Sequence, residues 1–339
     1  MHDFDVESFL RESAEAIWDQ KMLGRILDLY APHALIHVGA GLDLHGGQQL
    51  LDRAVQCLAA FPDLRVFIDD LVYARRGAAY LTSVCWTAVA RNTGPSVFGA
   101  ATGRRVVVDG ITASRVERGR FVEQWIELGD GELVRQLGFD QRSVLQRLWP
   151  EEAATDFDEL LGQGGPGVVE RPTGNAQGAH PPRGDAHDDI YADAGALVGA
   201  SVDAIWNRRQ LGEVARFFAP RYRERGPGGR ALFGREELRT DIVSLMGAFP
   251  DLRMHIDDVF WDDDRRGGYR SSTRWTLLGA NTGPSAYGSP TGASLRLSGI
   301  THHRIEEGRF VEGWTAYSEL GLARRLTSAG PRARSEETE

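Results

Sequence analysis

The chain says nearly the same thing twice. Phe61-Pro62-Asp63-Leu64-Arg65 returns as Phe249-Pro250-Asp251-Leu252-Arg253, and Asn92-Thr93-Gly94-Pro95-Ser96 returns as Asn281-Thr282-Gly283-Pro284-Ser285. Gly119-Arg120-Phe121-Val122-Glu123 returns as Gly308-Arg309-Phe310-Val311-Glu312, each followed two residues later by Trp125 or Trp314. The offset is 188 from Trp18/Trp206 to Asp70/Asp258 and 189 from Trp86/Trp275 onward, which implies one inserted residue in the intervening turn. Solenoid repeats run ~20–50 residues, so this period is not one. Each copy is the size of a whole domain. Two homologous domains in tandem are therefore expected: residues 1–140 and 189–327, joined by a flexible linker at 141–188 and followed by a disordered tail at 328–339.

The linker reading rests on composition. Gly162-Gln163-Gly164-Gly165-Pro166-Gly167 and the run 172–178 lack apolar periodicity, as flexible segments do. A short helix around Val144, Leu145, Leu148 and Trp149 precedes it. Within each copy, Phe9, Leu10, Ala14, Ile17, Trp18, Met22, Ile26 and Leu29 recur at helical spacing. Val198, Val202, Ile205, Trp206, Val214 and Phe217 are their counterparts. Pro32 and Pro220 read as helix stops. A second helix is expected at 47–60 and 235–248. Four strands follow at 64–74, 78–91, 104–117 and 120–129, with equivalents at 252–262, 268–280, 293–306 and 309–318. Helices first and antiparallel strands after them argue an α+β fold, a curved sheet with helices on one face.

Bulk properties narrow the partners. A net charge of −9 disfavours attraction to nucleic acid or anionic lipid. There is no long apolar run and no signal-like start, so no membrane partner is expected and a cytoplasmic protein is. Cys57 and Cys85 occur in the first half only and read as reduced core thiols. The sequence has no phosphate loop, no nucleophile elbow and no zinc-spaced Cys/His set, so no metal site is expected and most cofactor-dependent classes are removed.

This order of elements, with Phe-Pro-Asp-Leu, the Thr-Gly-Pro runs at 93–103 and 282–292, Gly-Ile-Thr at 110–112 and 299–301, and Gly-Arg-Phe-Val-Glu-x-Trp, resembles the SnoaL-like polyketide cyclase (ester cyclase) family. That family belongs to the nuclear-transport-factor-two-like superfamily of cone-shaped α+β barrels. The resemblance covers roughly 8–138 and 196–327. It implies cofactor-independent acid/base chemistry on a small hydrophobic or aromatic carbonyl metabolite: cyclisation, isomerisation or hydration. It also implies pairing of the barrels through their sheets, here as a pseudo-dimer within one chain. In the family's cyclases an acid late in the last strand does the proton transfer, commonly four residues after the tryptophan. Gly129 and Ser318 occupy those positions, and the next residues, Asp130 and Glu319, are the acids. Some relatives carry Asn-Glu there, which Ser318-Glu319 resembles. A non-catalytic binding or scaffolding protein, and an epoxide-hydrolase-like enzyme with paired carboxylates, are the competing readings.

The residues suggest a division of labour. His302-His303 stands where the first copy has Ala113-Ser114. Alternation lets only one histidine face a pocket, and a histidine beside Glu319 could move a proton. The catalytic candidates are therefore Glu319, His303, His302 and Asp130, with chemistry expected mainly in the second copy. Asp69-Asp70 and Asp257-Asp258 are further acids, one of each pair expected to turn inward. Candidate ligand-binding groups are the paired tryptophans Trp86, Trp275, Trp125 and Trp314, with Asn92 and Asn281 able to reach a carbonyl or to hold a turn.

Overall fold

A computed structural model of the 339-residue chain describes residues 4–39, 41–149, 193–264, 266–284 and 288–328. Residues 150–188 of the expected linker and the tail from 329 lie outside the described residues.

The first copy begins with helix α1 (Val6–Ala14), a π-helical turn (Glu15–Asp19) and the short α2 (Arg25–Leu29). Strands β1 (Tyr30–Val38) and β2 (Leu42–His45) follow, then helix α3 (Gly46–Ala60). Four long strands come next: β3 (Arg65–Arg76), β4 (Ala79–Arg91), β5 (Arg105–Glu117) and β6 (Arg120–Leu128). Helices α4 (Asp130–Leu137) and α5 (Gln141–Leu148) close it. The second copy runs α6 (Ala194–Ser201), a π-helical turn (Val202–Asn207), α7 (Val214–Phe217), β7 (Phe218–Gly226), β8 (Arg230–Phe233) and α8 (Gly234–Ala248). It ends with β9 (Arg253–Asp264), β10 (Gly268–Ala280), β11 (Ser294–Glu306), β12 (Arg309–Ala316) and α9 (Glu319–Ser328).

Each sheet has six strands rather than four, in the orders β2-β1-β6-β5-β4-β3 and β8-β7-β12-β11-β10-β9. The first extra strand of each sheet, β1 or β7, runs through the proline that reads as a helix stop. Proline lacks the N–H that a ladder needs. The structure solves this by breaking the parallel β1–β6 register between Tyr30 and Leu35, around Pro32. The β7–β12 ladder breaks likewise between Phe218 and Arg223, around Pro220. The inserted residue sits in the β9–β10 turn, three residues long against two in the β3–β4 turn.

Alternation sorts the strand faces. On β5, Val106 and Val108 face the barrel interior with Thr112 and Ser114, while Ile111 and Ala113 face out. The outward faces of the two sheets meet each other. Cys85, Ile111 and Ala113 pack against Ile300 and Ala316, flanked by Trp125 and Trp314. Val72 and Leu81 meet Phe260 nearby. Helix α5 lies inside the span expected to be linker, yet Val144 and Leu145 pack on Leu320 of α9. The first copy thus reaches across to the second through a helix as well as through its sheet.

Candidate functional site

The first barrel is hollow. A cavity of about 1070 Å³ opens among its helices and the concave face of its sheet. Trp18, Phe61, Trp86, Phe98, Phe121 and Trp149 contribute rings to a mostly apolar wall. Such a concave apolar space with few polar groups is the usual form of a small-molecule site.

The second barrel has the same plan with larger contents. Tyr222 and His303 stand where the first barrel has Ala34 and Ser114; Tyr222 is fully buried and His303 partly so. The His303 ring lies 4.2 Å from the Phe310 ring, with Phe218 and Tyr222 around it. Burial, with the charge of His302 next to it, pushes His303 down to about 3. Its Nδ1 is buried without a hydrogen-bond partner. His303 therefore faces a barrel interior, but one packed with rings.

Polar groups cross the hollow barrel in two places. Trp86 lies flat over β5 because residue 110 is glycine: a Cβ there would meet the indole at 2.2 Å. The ring thereby delivers Nε1–H to Thr112 Oγ1 at 2.9 Å. This accounts for the Gly-Ile-Thr motif. Gly110 makes room, Ile111 packs on the other domain, and Thr112 receives the indole. The second barrel repeats the device with Gly299, Trp275 and Thr301 at 2.9 Å. Trp275, however, is buried against Tyr317. Beside Trp86, Tyr30 Oη donates to Gln124 Oε1 at 2.8 Å, and Gln124 Nε2 donates to Ser114 Oγ at 3.0 Å.

The carboxylate of the hollow barrel is Asp130, at the start of α4. It lines the cavity together with Ser318, Leu320 and Arg324 of the second copy. Ser318 Oγ donates to Asp130 Oδ2, and Leu320 N–H donates to Oδ1 at 3.1 Å. Ser318 in turn caps α9 by accepting from Gly321 N–H at 2.9 Å. Burial raises Asp130 to about 6 against these bonds, with Glu319 adding to the rise. The Gly131 N–H also bonds Asp130, so of a carboxylate's roughly four acceptor positions about one remains for a ligand.

Glu127 reinforces this end of the barrel. It is buried between the domains, accepts from Ser298 Oγ at 3.2 Å, and leaves Oε2 without a partner. Burial pushes it up to about 8. Its counterpart in the second copy is Ala316. Sequence reasoning missed Glu127; its one signal was a glutamate on an otherwise repeated strand where the other copy has alanine.

The remaining candidates lie elsewhere. Glu319 points across the domain boundary, its Oε2 3.7 Å from Arg135 Nη2, and burial raises its carboxyl. His302 is fully buried between the sheets, Nδ1 3.3 Å from Asp70 Oδ2 and Nε2 2.6 Å from Ser83 Oγ. This Ser–His–Asp set closes an interface and is not part of the first barrel's cavity wall. Arg270 joins it at 3.4 Å from Asp70 and also clasps Asp262 at 2.8 Å. Burial works against Asp70, yet bonding and charge from His302, and charge from Arg270, hold it below the ordinary carboxylate value. The expected convergence of Glu319 with His302 or His303 does not form, because the three occupy the α9 cap, the sheet interface and a barrel interior respectively.

The other acids and aromatics follow the same logic. A bulge between Ile68 and Asp70 turns both Asp69 and Asp70 away from the cavity. Asp69 accepts from Thr87 Oγ1 at 2.6 Å. Asp257 does so from Thr276 Oγ1 at 2.8 Å, and Asp258 meets Arg76 at 3.0 Å. Strict alternation failed here for want of that bulge. Trp125 and Trp314 belong to the domain interface, with the Arg274 guanidinium 4.0 Å above the Trp125 ring. Asn92 and Asn281 are turn residues. Asn92 donates to Gly94 O at 2.8 Å and accepts from Thr102 N–H at 2.8 Å. Asn281 donates to Ala248 O at 3.1 Å and accepts from Thr291 N–H at 2.9 Å. Of the predicted residues, Trp86 and Asp130 line the cavity. A smaller depression of about 420 Å³ lies around Arg65, Arg91 and Arg105, and its Asp63 is taken by the Arg91 N–H at 2.7 Å.

Among the described residues no helix is long and apolar enough to cross a membrane. No curated protein is significantly similar to the chain. Solved structures match one copy at a time. A SnoaL-like protein from Jannaschia sp. CCS1 is 20% identical over 44% of this chain and 100% of its own, with a TM-score of 0.38. TsrD from Streptomyces laurentii is 21% identical over 40% and 98%, with a TM-score of 0.34. An NTF2-like protein from Burkholderia pseudomallei is 20% identical over 39% and 95%, with a TM-score of 0.31. The family model described as SnoaL-like polyketide cyclase matches residues 9–137 and again 196–326. The chain therefore belongs to the SnoaL-like polyketide cyclase family and carries its α+β fold twice.

Proposed function

We propose that the protein is a cofactor-independent acid/base enzyme acting on a small apolar carbonyl compound, and that its site is the hollow first barrel. The observation that carries this reading is Asp130. It is an ionisable carboxyl poised near 6 on the wall of an otherwise apolar cavity of about 1070 Å³. General bases work best with such values near the operating pH. At neutral pH Asp130 is mostly ionised. It takes a proton from the carbon next to the carbonyl, the C–H electron pair flows toward the carbonyl oxygen, and the resulting enolate is free to attack, reprotonate or isomerise. The second barrel takes a supporting part: its Ser318 and Leu320 hold the Asp130 carboxylate, and Leu320 and Arg324 complete the wall.

The competing reading is a binding protein, and the same contacts favour it. Asp130 caps the start of α9, which is reason enough for a carboxylate there. The two are separated with α-tetralone, a bicyclic ketone whose α-protons exchange slowly in neutral water. Its exchange with D2O is followed by proton NMR. Catalysis appears as protein-dependent exchange whose rate rises with pH through about 6, the value of Asp130. Tetralone that binds without faster exchange identifies a binding protein. Tetralone that does not bind at all removes the cavity reading.

A further inference from the structure

The indole–threonine pair occurs in both barrels, but the threonine proton has a different fate in each. An indole nitrogen can only donate. Thr301 Oγ1 therefore accepts from Trp275, and its own hydrogen is available to Thr315 Oγ1 at 3.0 Å. Thr315 passes its hydrogen to Glu224 Oε1 at 2.7 Å, and Tyr222 Oη donates to Glu224 Oε2 at 3.0 Å. The chain of donors ends on the partly buried Glu224 carboxyl. Every member of the relay has its hydrogen taken.

In the first barrel the same relay is cut after its first link. Ile126 stands at the position of Thr315 and Ile36 at that of Glu224. Thr112 Oγ1 accepts from Trp86, and among the described residues no acceptor takes its proton. Thr112 lines the cavity. A hydroxyl whose lone pair is engaged, and whose hydrogen faces an apolar space, is a preset donor awaiting an acceptor. Resting on the cavity reading above, we infer that Thr112 is the group that selects for a ligand oxygen in the first barrel, donating to a carbonyl held near Asp130. Trp86 sets its direction, and the isoleucines at 36 and 126 keep the donor from being spent inside the protein.

Fluorenone and fluorene test this, because they share a rigid planar shape and differ in C=O against CH2. Equilibrium dialysis gives the affinity of each for the full chain, and infrared spectroscopy gives the carbonyl stretch of bound fluorenone. Wild type should prefer fluorenone by roughly three- to tenfold, the range of a net hydrogen bond to a neutral oxygen. Thr112→Val should remove that preference with fluorene affinity nearly unchanged, and should shift the bound carbonyl stretch to higher frequency. Thr112→Ser should restore both. Because Thr112→Val strands the indole N–H, the double variant Trp86→Phe/Thr112→Val serves if the single one folds poorly, since it removes both partners together. A preference that survives in either valine variant, or an unchanged stretch, overturns the inference while leaving the cavity reading intact. Failure of both hydrocarbon and ketone to bind wild type overturns the two together.

Discussion

The two barrels share their turns, their strand order and their Gly-Ile-Thr device, yet one is hollow and the other is packed. The difference comes from a handful of positions on the inner faces. Ala34, Ile36, Ser114 and Gln124 in the first barrel are Tyr222, Glu224, His303 and Gly313 in the second. The first set leaves space and a short polar rail from Tyr30 to Ser114. The second set spends the same space on rings and a carboxylate whose donors are internal. A duplicated fold keeps what shapes it and varies what fills it. Histidines present in one copy only therefore mark divergence: here His302 sits between the sheets and His303 among the rings of the second barrel.

The comparison can be broken most decisively at its acids. Asp130 and Glu319 are equivalent in sequence, but only Asp130 lines the cavity. In the tetralone assay Asp130→Asn should lower exchange by about 100- to 10,000-fold, the usual share of a general base. Glu319→Gln should change it by no more than about threefold. Equal losses would mean that the barrels share one site.

The fillings come next. Tyr222→Ala should destabilise the protein by about 3–5 kcal/mol, as large aromatic truncations in packed interiors do. The joint change Ala34→Tyr with Ser114→His should instead abolish ligand binding. Denaturant titration and dialysis read the two effects. A mild cost at Tyr222 would show that the second barrel is less filled than its ring contacts indicate.

Glu127 offers a pH test of the asymmetry, since Ala316 cannot titrate. Its carboxyl rises from an ordinary value of 4.5 to about 8 in the folded protein. The folded state therefore holds a proton that the unfolded chain has released across that interval. Stability from this group is fully present below about 4.5 and is lost as pH rises through about 8. Glu127→Gln, which mimics the neutral acid, should raise the thermal midpoint at pH 8.5 and leave it nearly unchanged at pH 5. The difference is on the order of a few kcal/mol. A variant equally stabilised at both values would point to packing instead.

The smallest expected effect is a likeness. Asn92→Ala and Asn281→Ala should each cost about 1–2 kcal/mol and should match each other closely, because both amides close the same turn with the same partners. Unequal costs would give one asparagine a role beyond the turn.

The sequence made the duplication, the long strands and the family legible because turns and alternation are local. It hid β1 and β7 because Pro32 and Pro220 look like stops until a register break is seen. It hid the place of Asp69 and Asp70 because one bulge moves a pair of residues to the other face. The site was harder still. Trp86 and Asp130 were among the candidates, but nothing in the spacing of His302, His303 and Glu319 says that the first faces another sheet, the second a ring cluster and the third a neighbouring helix. Glu127 and Thr112 become visible only when the copies are superposed and each donor is followed to its acceptor.

The central claim is that ligands enter the first barrel and not the second. Crystals soaked with α-tetralone test it most directly. The account predicts density inside the first barrel, with the ketone between Trp86, Thr112 and Asp130. Density against His303 in the second barrel or beside His302 between the sheets would contradict it, as would an empty first barrel at saturating ligand.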